Sequence, residues 1–245
     1  MDALAWPGEA LYGLGMTVGI ASMMVLAASM ALGGSLGVSG GKCEQRVCPL
    51  GIDVVQPALG WMLTSPRRGD QQTAYQILAA SDPQLLAAGQ PDLWDSGKVA
   101  SGNSLGIFYQ GKSLTSGLRV WWQVRVWDRD GEPGVYGAPQ WWEMALLAAA
   151  DWHGKWVSDG RALPAKDEDF YAPAPAPMLR KGFKTAGSIK RARLHVAGMG
   201  YHELRLNGTR VGDRLLDSEW TSYAKRVPYV THDVTALLRE GDNAL

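Results

Sequence analysis

Four short stretches hold residue types that could do chemistry. His202–Leu206 reads HELRL, the opening of a zinc-protease H-E-x-x-H motif. Its fifth position is Leu206, so the second imidazole is absent. The stretch also belongs to an expected strand, where i and i+4 do not form the ligand face that a helix gives. Asp128–Glu132, DRDGE, has two aspartates in a calcium-loop rhythm but lacks the third ligand position and the closing bidentate glutamate. A hairpin turn accounts for it. Asn207-Gly208-Thr209 has the form of a glycosylation acceptor, yet Asn-Gly is first of all a hairpin tip. Asp167, Glu168 and Asp169 are adjacent. Glycoside hydrolysis needs two carboxylates facing each other across about 5–10 Å, so this trio reads as a solvated charge run. No Ser-His-Asp set, nucleophile elbow, phosphate loop or dinucleotide-binding glycine motif is evident. The sequence therefore assigns no catalytic residue, no metal ligand and no cofactor.

The chain has 245 residues, room for one large domain or two small ones. With 24 basic and 24 acidic residues the formal charge is zero, which favours neither nucleic acid nor a polybasic contact with a membrane surface. The aromatics are lopsided, 11 Trp and 8 Tyr against 3 Phe, a bias found where amphipathic rings meet sugar or water. Cys43 and Cys48 are too few for a zinc site; they are either a small disulfide loop in an exported chain or two free thiols.

Met16–Gly41 contains no charged residue. From Met16 to Val38 it is long enough to span a bilayer, though rich in Gly, Ala and Ser. It reads as an export signal, with Ser29 and Ala31 in a cleavage-like pattern, or as a retained anchor or non-native leader. The first basic residue, Lys42, follows the run instead of preceding it. A periplasmic or secreted location is expected, with membrane anchoring as the alternative and a membrane partner only if the leader is retained.

Beyond the leader the pattern is all-β. Thr73–Ser81 alternates as a strand, and Pro83–Pro91 is a loop or a single helical turn. Leu93–Val99, GIFYQG, the tryptophan stretch Trp121–Gly131 and Pro139–Leu147 follow as short strands and turns at intervals of about ten residues, the rhythm of an immunoglobulin-like or fibronectin-type sandwich. Along WWQVRVWDRDG, Trp122, Val124 and Val126 share one face, the core. Trp121, Gln123, Arg125 and Trp127 share the other, where Arg125 can stack between rings and a neighbouring domain can dock. Asp151–Pro177 is a stiff, proline-rich connector. The β pattern then resumes. Lys190–Gly198 carries Ala192, Leu194 and Val196 on one face, and Tyr201–Asp213 is a hairpin with Asn207-Gly208 at its tip. Asp233 caps a helical turn that stops at Gly241, and the last residues begin a strand. Four or five strands after the linker are too few to close a sandwich.

These residues resemble a known family. CEQRVCPLGIDVVQPALGW, QTAYQILAAS, LWDSGKV, WWQVRVWDRDG and WWEMALL, then DWHGKWV, PAPMLRKGF, KRARLHVAGMGYHELRLNGTRVGD and LLDSEWTSYAKRVPYVTHDVTALLREGDNAL, are similar in order to the N-terminal part of bacterial α-L-rhamnosidases. The resemblance covers Lys42–Leu245. Cys48 stands where a polar residue is expected, and Ser218 and Glu219 replace a Pro-Gly pair. The resemblance implies inverting hydrolases whose catalytic carboxylates lie on an (α/α)6 barrel further along the chain, so no catalytic residue carries over. It implies a fibronectin type III or immunoglobulin-like sandwich followed by a truncated jelly-roll, a galactose-binding-like β-sandwich. The expected division is a leader over 1–41, the first sandwich over 42–148, a linker over 149–177 and an incomplete jelly-roll over 178–245. Some relatives use such a domain to hold rhamnose, sometimes with calcium. The implied sugar contacts here are Tyr201, Asn207, Trp220 and Tyr223; turn formation and packing are the alternative roles for all four.

The expected function is thus the non-catalytic front end of an enzyme that removes terminal α-L-rhamnose. Its partners would be a rhamnose-containing glycan or glycoside and its own catalytic domain, with no nucleic acid. A stand-alone carbohydrate-binding β-sandwich protein is the alternative, and an incompletely sequenced or degraded gene a third reading.

Overall fold

The computed structural model describes residues 36–162, 164–173 and 175–245. The first module is a sandwich of two antiparallel sheets. One contains β1 (Gly37–Cys43), β2 (Ala58–Thr64) and β6 (Ile107–Phe108) in the order β1-β2-β6. The other contains β3 (Ala74–Ala80), β4 (Trp94–Asp95), β7 (Arg119–Trp127) and β8 (Gln140–Glu143) in the order β4-β3-β7-β8, with β5 (Val99–Ala100) also paired to β3. One short helix, α1 (Pro83–Ala87), follows β3. Asp82 caps it by accepting a hydrogen bond from the Gln84 amide, and Pro83 occupies its first turn.

The alternation along β7 does what the sequence requires of it. Val120, Trp122, Val124 and Val126 are buried, while Arg119, Trp121, Gln123 and Arg125 are only partly covered. The inward set packs with Leu59, Trp61, Ile77, Tyr109 and Trp142 into one core. The outward face is not a bare surface. Leu85 and Leu86 of α1 lie on it, with Trp121 and Tyr136 packed beside them. Arg125 sits 4.9 Å from the rings of both Trp127 and Tyr136, and Arg119 sits 3.9 Å from Trp141. The expected arginine stacking therefore occurs, but Tyr136, not Trp121, is the second ring for Arg125. Trp127 is buried, at 7% exposure, because Lys98 and Arg125 both lie over it.

The sequence boundary at residue 41 is displaced by the fold. β1 takes in Gly37–Gly41, and Leu36 just before it is 2% exposed in the core. An uncharged run of small and branched residues satisfies a leader and a sandwich strand equally, and pairing with β2 decides for the strand here. The rest of the expected leader, residues 1–35, lies outside the described residues. Cys43 and Cys48 are free thiols; Cys43 is buried on β1, and burial pushes its thiol far above the ordinary range.

The second module contains six short strands in three antiparallel pairs: β9 (Gly182–Thr185) with β14 (Gly241–Ala244), β10 (Arg193–Ala197) with β13 (Tyr229–Asp233), and β11 (Arg205–Leu206) with β12 (Thr209–Arg210). Six strands form, against four or five expected, because the closing residues already pair with β9. The β11–β12 hairpin turns on Asn207 and Gly208, both at positive φ of 53° and 84°, as a two-residue hairpin demands. Asp233 accepts the Thr235 amide at 3.0 Å, but the 3-10 turn Thr235–Leu237 has Val234, not Asp233, at its N-cap and ends before Gly241, which opens β14. A small core of Leu206, Val211 and Val234, with Leu194, Ala192 and Phe183 against it, holds the pairs together.

The two modules meet at Glu143, the last residue of β8. It is 2% exposed and accepts from Arg119 on β7 at 3.0 Å and from Arg193 on β10 at 2.6 and 2.9 Å. Nearby, the Tyr229 hydroxyl on β13 accepts from the Leu146 amide at 2.8 Å, and its ring stands edge-on to Trp152 at 5.4 Å. Gly51 closes the contact: a Cβ there would lie 2.9 Å from Thr231 Oγ1.

Candidate functional site

Two of the four expected sugar contacts come together. Tyr201 follows β10, and Trp220 lies in the long turn between β12 and β13. Their rings stack with centroids 5.4 Å apart at 26°. Both are open to solvent, at 55% and 68% exposure. The backbone brings them together. The His202 amide donates to Asp217 O at 2.7 Å, and the Ser218 hydroxyl donates to Gly198 O. These bonds clamp the turn over residues 198–202, so Tyr201, one residue before His202, and Trp220, three after Asp217, end on the same side. An exposed aromatic pair of this kind offers a flat apolar platform with a phenol hydroxyl and an indole N–H at its edges.

The same module holds several buried polar atoms: both ring nitrogens of His202, His232 Nε2, Asp217 Oδ1 and the Tyr223 hydroxyl have no hydrogen-bond partner among the described residues. His232 Nε2 is 3.5 Å from Asp217 Oδ2, and Arg214 Nη1 is 3.6 Å from Asp217 Oδ1. Burial, more than the opposing attraction of Asp217, holds the His232 imidazole below its ordinary pKa. Among the described residues no three His, Cys, Asp or Glu side chains are grouped to hold a metal. His202, His232 and Asp217 do not fit calcium either. Two imidazoles and one carboxylate differ from the roughly six to eight oxygens that calcium takes.

The other two expected contacts are turned into the fold. Asn207 is committed to the fold: Nδ2 donates to Leu237 O at 2.9 Å and Asn243 Oδ1 at 2.8 Å, and Oδ1 accepts from the Ala244 amide at 3.0 Å. These bonds tie the hairpin tip to β14. Tyr223 is half-buried, and its hydroxyl points into protein. His202 and His232, 30 positions apart in the sequence, are brought to Asp217 by the fold. HELRL drew attention to His202 for the wrong chemistry, and nothing in the local sequence marks His232.

Residues 38–148 match the family described as "Rha78A-like, N-terminal immunoglobulin domain", and residues 187–245 match the "Alpha-L-rhamnosidase N-terminal domain". An alpha-L-rhamnosidase of Formosa agariphila is 36% identical over 203 residues, which is 80% of this chain and 21% of that protein. One from Alteromonas sp. (strain LOR) is 35% identical over 210 residues, 82% of this chain and 22% of its own length. Among solved structures, an alpha-L-rhamnosidase from Dictyoglumus thermophilum superposes with a TM-score of 0.75 at 34% identity, covering 85% of this chain and 24% of that one. One from Aspergillus terreus gives a TM-score of 0.67 at 28% identity, covering 86% and 23%. The chain thus spans about a fifth of the length of the curated relatives it matches. Its two modules are the N-terminal immunoglobulin domain and the N-terminal rhamnosidase domain of the α-L-rhamnosidase family, in the order in which that family carries them.

Proposed function

We propose that this chain serves as the non-catalytic N-terminal region of an α-L-rhamnosidase, and that its second module contacts the rhamnose-bearing glycan through Tyr201 and Trp220. The observation that carries the sugar contact is the stacked, solvent-open ring pair over a clamped turn. A pyranose ring has an apolar C–H face that lies well on such a surface, and the methyl group of a 6-deoxy sugar extends it. The Glu143 junction fixes the second module on the first, so the first sandwich sets where the ring pair points.

In the complete enzyme, hydrolysis would run by single displacement, with a general acid at the leaving oxygen and a base on the attacking water. We place both carboxylates in the part of the relatives' length that this chain does not span. We also place the protein in the periplasm or outside the cell, on the strength of the uncharged run that precedes β1.

Titration with L-rhamnose, followed by tryptophan fluorescence, tests the sugar contact. A saturable change in the millimolar range is expected, and Trp220→Ala and Tyr201→Ala are expected to abolish it while the melting transition stays in place. A flat titration of the unaltered chain contradicts the assignment of this pair.

A further inference from the structure

The first module has a second place fit for a ligand. Between the edge strands β4 and β5 of one sheet and β6 of the other, the sandwich opens into a cleft of about 410 Å³. That is within the usual range for small-ligand sites, roughly 300–1,000 Å³. Three rings line it: Tyr75, Trp94 and Phe108. Asp95 and Gln110 supply polar groups at the same opening.

The cleft is built rigid. Trp94 stands edge-to-face on Tyr109, with centroids 5.3 Å apart, and Tyr109 is 2% exposed with its hydroxyl donating to Lys112 O. Tyr75 stands edge-to-face on Trp61 at 5.4 Å, and Trp61 is fixed in turn by donating Nε1 to Gln72 Oε1 at 3.0 Å. Each of these lining rings is therefore held by a core ring that is itself hydrogen-bonded. Little side-chain freedom remains to be lost when something binds. Asp95 is also oriented: its Oδ1 accepts from Gln76 Nε2 at 2.7 Å and from the Gly97 amide at 2.8 Å. Phe108, one of three phenylalanines in the chain, is 58% exposed on the edge strand β6, uncovered among the described residues.

We infer that this cleft is a carbohydrate-binding groove for a neutral oligosaccharide chain, separate from the Tyr201–Trp220 pair. Trp94 and the exposed Phe108 take the C–H faces of the sugar, and Gln110 takes hydroxyl protons at the rim. The lone carboxylate disfavours uronate-rich chains. The nearest basic side chain along the strand, Lys98, is already placed 4.7 Å over Trp127. An extended polypeptide added as a strand fits less well. β4, β5 and β6 are two residues each, and Gly97 and Gly106 stand beside them at positive φ of 60° and 69°. The edges are thus too short and broken for a continuous ladder. The inference rests on the reading of the chain as part of a glycosidase only for the choice of sugar as ligand.

Affinity electrophoresis of the full described chain, through gels holding neutral polysaccharides (galactan, xylan, xyloglucan, mannan), tests it. Retardation by at least one of them is expected. Phe108→Ala, an exposed position, should weaken it by roughly tenfold, equivalent to about 1.4 kcal/mol. Trp220→Ala should leave it unchanged, while that same variant loses the response to free L-rhamnose. This separates the groove from the second-module site, so that either can fail alone. No retardation in any gel, or equal retardation of Phe108→Ala, overturns the groove. Retention on immobilised denatured casein that Phe108→Ala abolishes, without retardation by polysaccharide, overturns it in favour of strand addition.

Discussion

Arg193 Nε donates to Glu143 Oε1 at 2.6 Å, and its Nη2 reaches Oε2 of the same carboxylate at 2.9 Å. This forked pair joins β10 of the second module to β8 of the first. Arg119 reaches Oε2 at 3.0 Å, and Arg191 lies 3.6 Å from it. The Arg193 side chain is 10% exposed and the Glu143 side chain 3%, so the charges have little water to fall back on. Glu143→Ala leaves Arg193 buried without its main counter-charge, a loss of about 3–5 kcal/mol by comparison with other broken buried pairs. Expected results are a lower melting temperature and faster proteolysis of the 149–177 linker. An unchanged melting curve would show that the modules do not depend on this contact.

Acidity should loosen the second module. His195 and His232 both have their imidazole pKa held below the ordinary 6.5, chiefly by burial. The unfolded chain then binds protons that the folded one refuses. Stability falls as the pH drops below the ordinary histidine value, from about pH 7 towards 5. Around His232 the charged groups are Asp217, Arg214, Asp213 and His202; around His195 they are Glu143 and Arg193. Chemical denaturation at several pH values reads the effect, and His232→Gln should flatten part of the slope. A wild-type profile that is level over this range contradicts the burial argument.

Asn207 was an expected sugar contact, and the fold gives it other work. Asn207→Ala removes the three side-chain bonds to Leu237, Asn243 and Ala244 and puts a residue ill-suited to φ 53° at the tip. A cost of about 1–3 kcal/mol is expected from the unpaired groups alone. L-rhamnose affinity, measured well below the melting transition, should stay within about twofold, a change of under half a kcal/mol. A large affinity loss in a fully folded variant would restore the sugar-contact role.

Trp122 is 1% exposed in the first core, yet its buried indole Nε1 has no partner among the described residues. Trp122→Ala should cost about 3–5 kcal/mol through the cavity it leaves. Trp122→Phe should cost well under half of that, since it keeps most of the ring and removes an unsatisfied donor. Equal losses in the two variants would mean that the indole N–H has a partner in solution.

The two-residue rhythm of β7 made its inner and outer faces readable, because strand alternation depends on nothing beyond the strand itself. The Asn207-Gly208 tip was readable for the same reason; the start of the turn after β13 was read one residue early, at Asp233 instead of Val234. β1 was not, because Gly37–Gly41 is an uncharged small-residue run whose meaning depends on pairing with β2. The Glu143–Arg193 fork spans 50 positions, and each residue alone reads as an ordinary surface charge. At the candidate site, Tyr201 and Trp220 were named through family resemblance; their stacking depends on the bond from His202 N to Asp217 O, which no local pattern announces. Asn207 was named in the same way, and the resemblance could not tell a ligand contact from a hairpin anchor.

The central claim is that these two modules support an α-L-rhamnosidase without performing its chemistry. The most direct measurement is release of 4-nitrophenol from 4-nitrophenyl α-L-rhamnopyranoside by the purified 245-residue chain, at enzyme concentrations where a full-length relative exhausts the substrate. No release above the buffer rate is predicted. Turnover that co-elutes with the chain through successive columns would contradict the account.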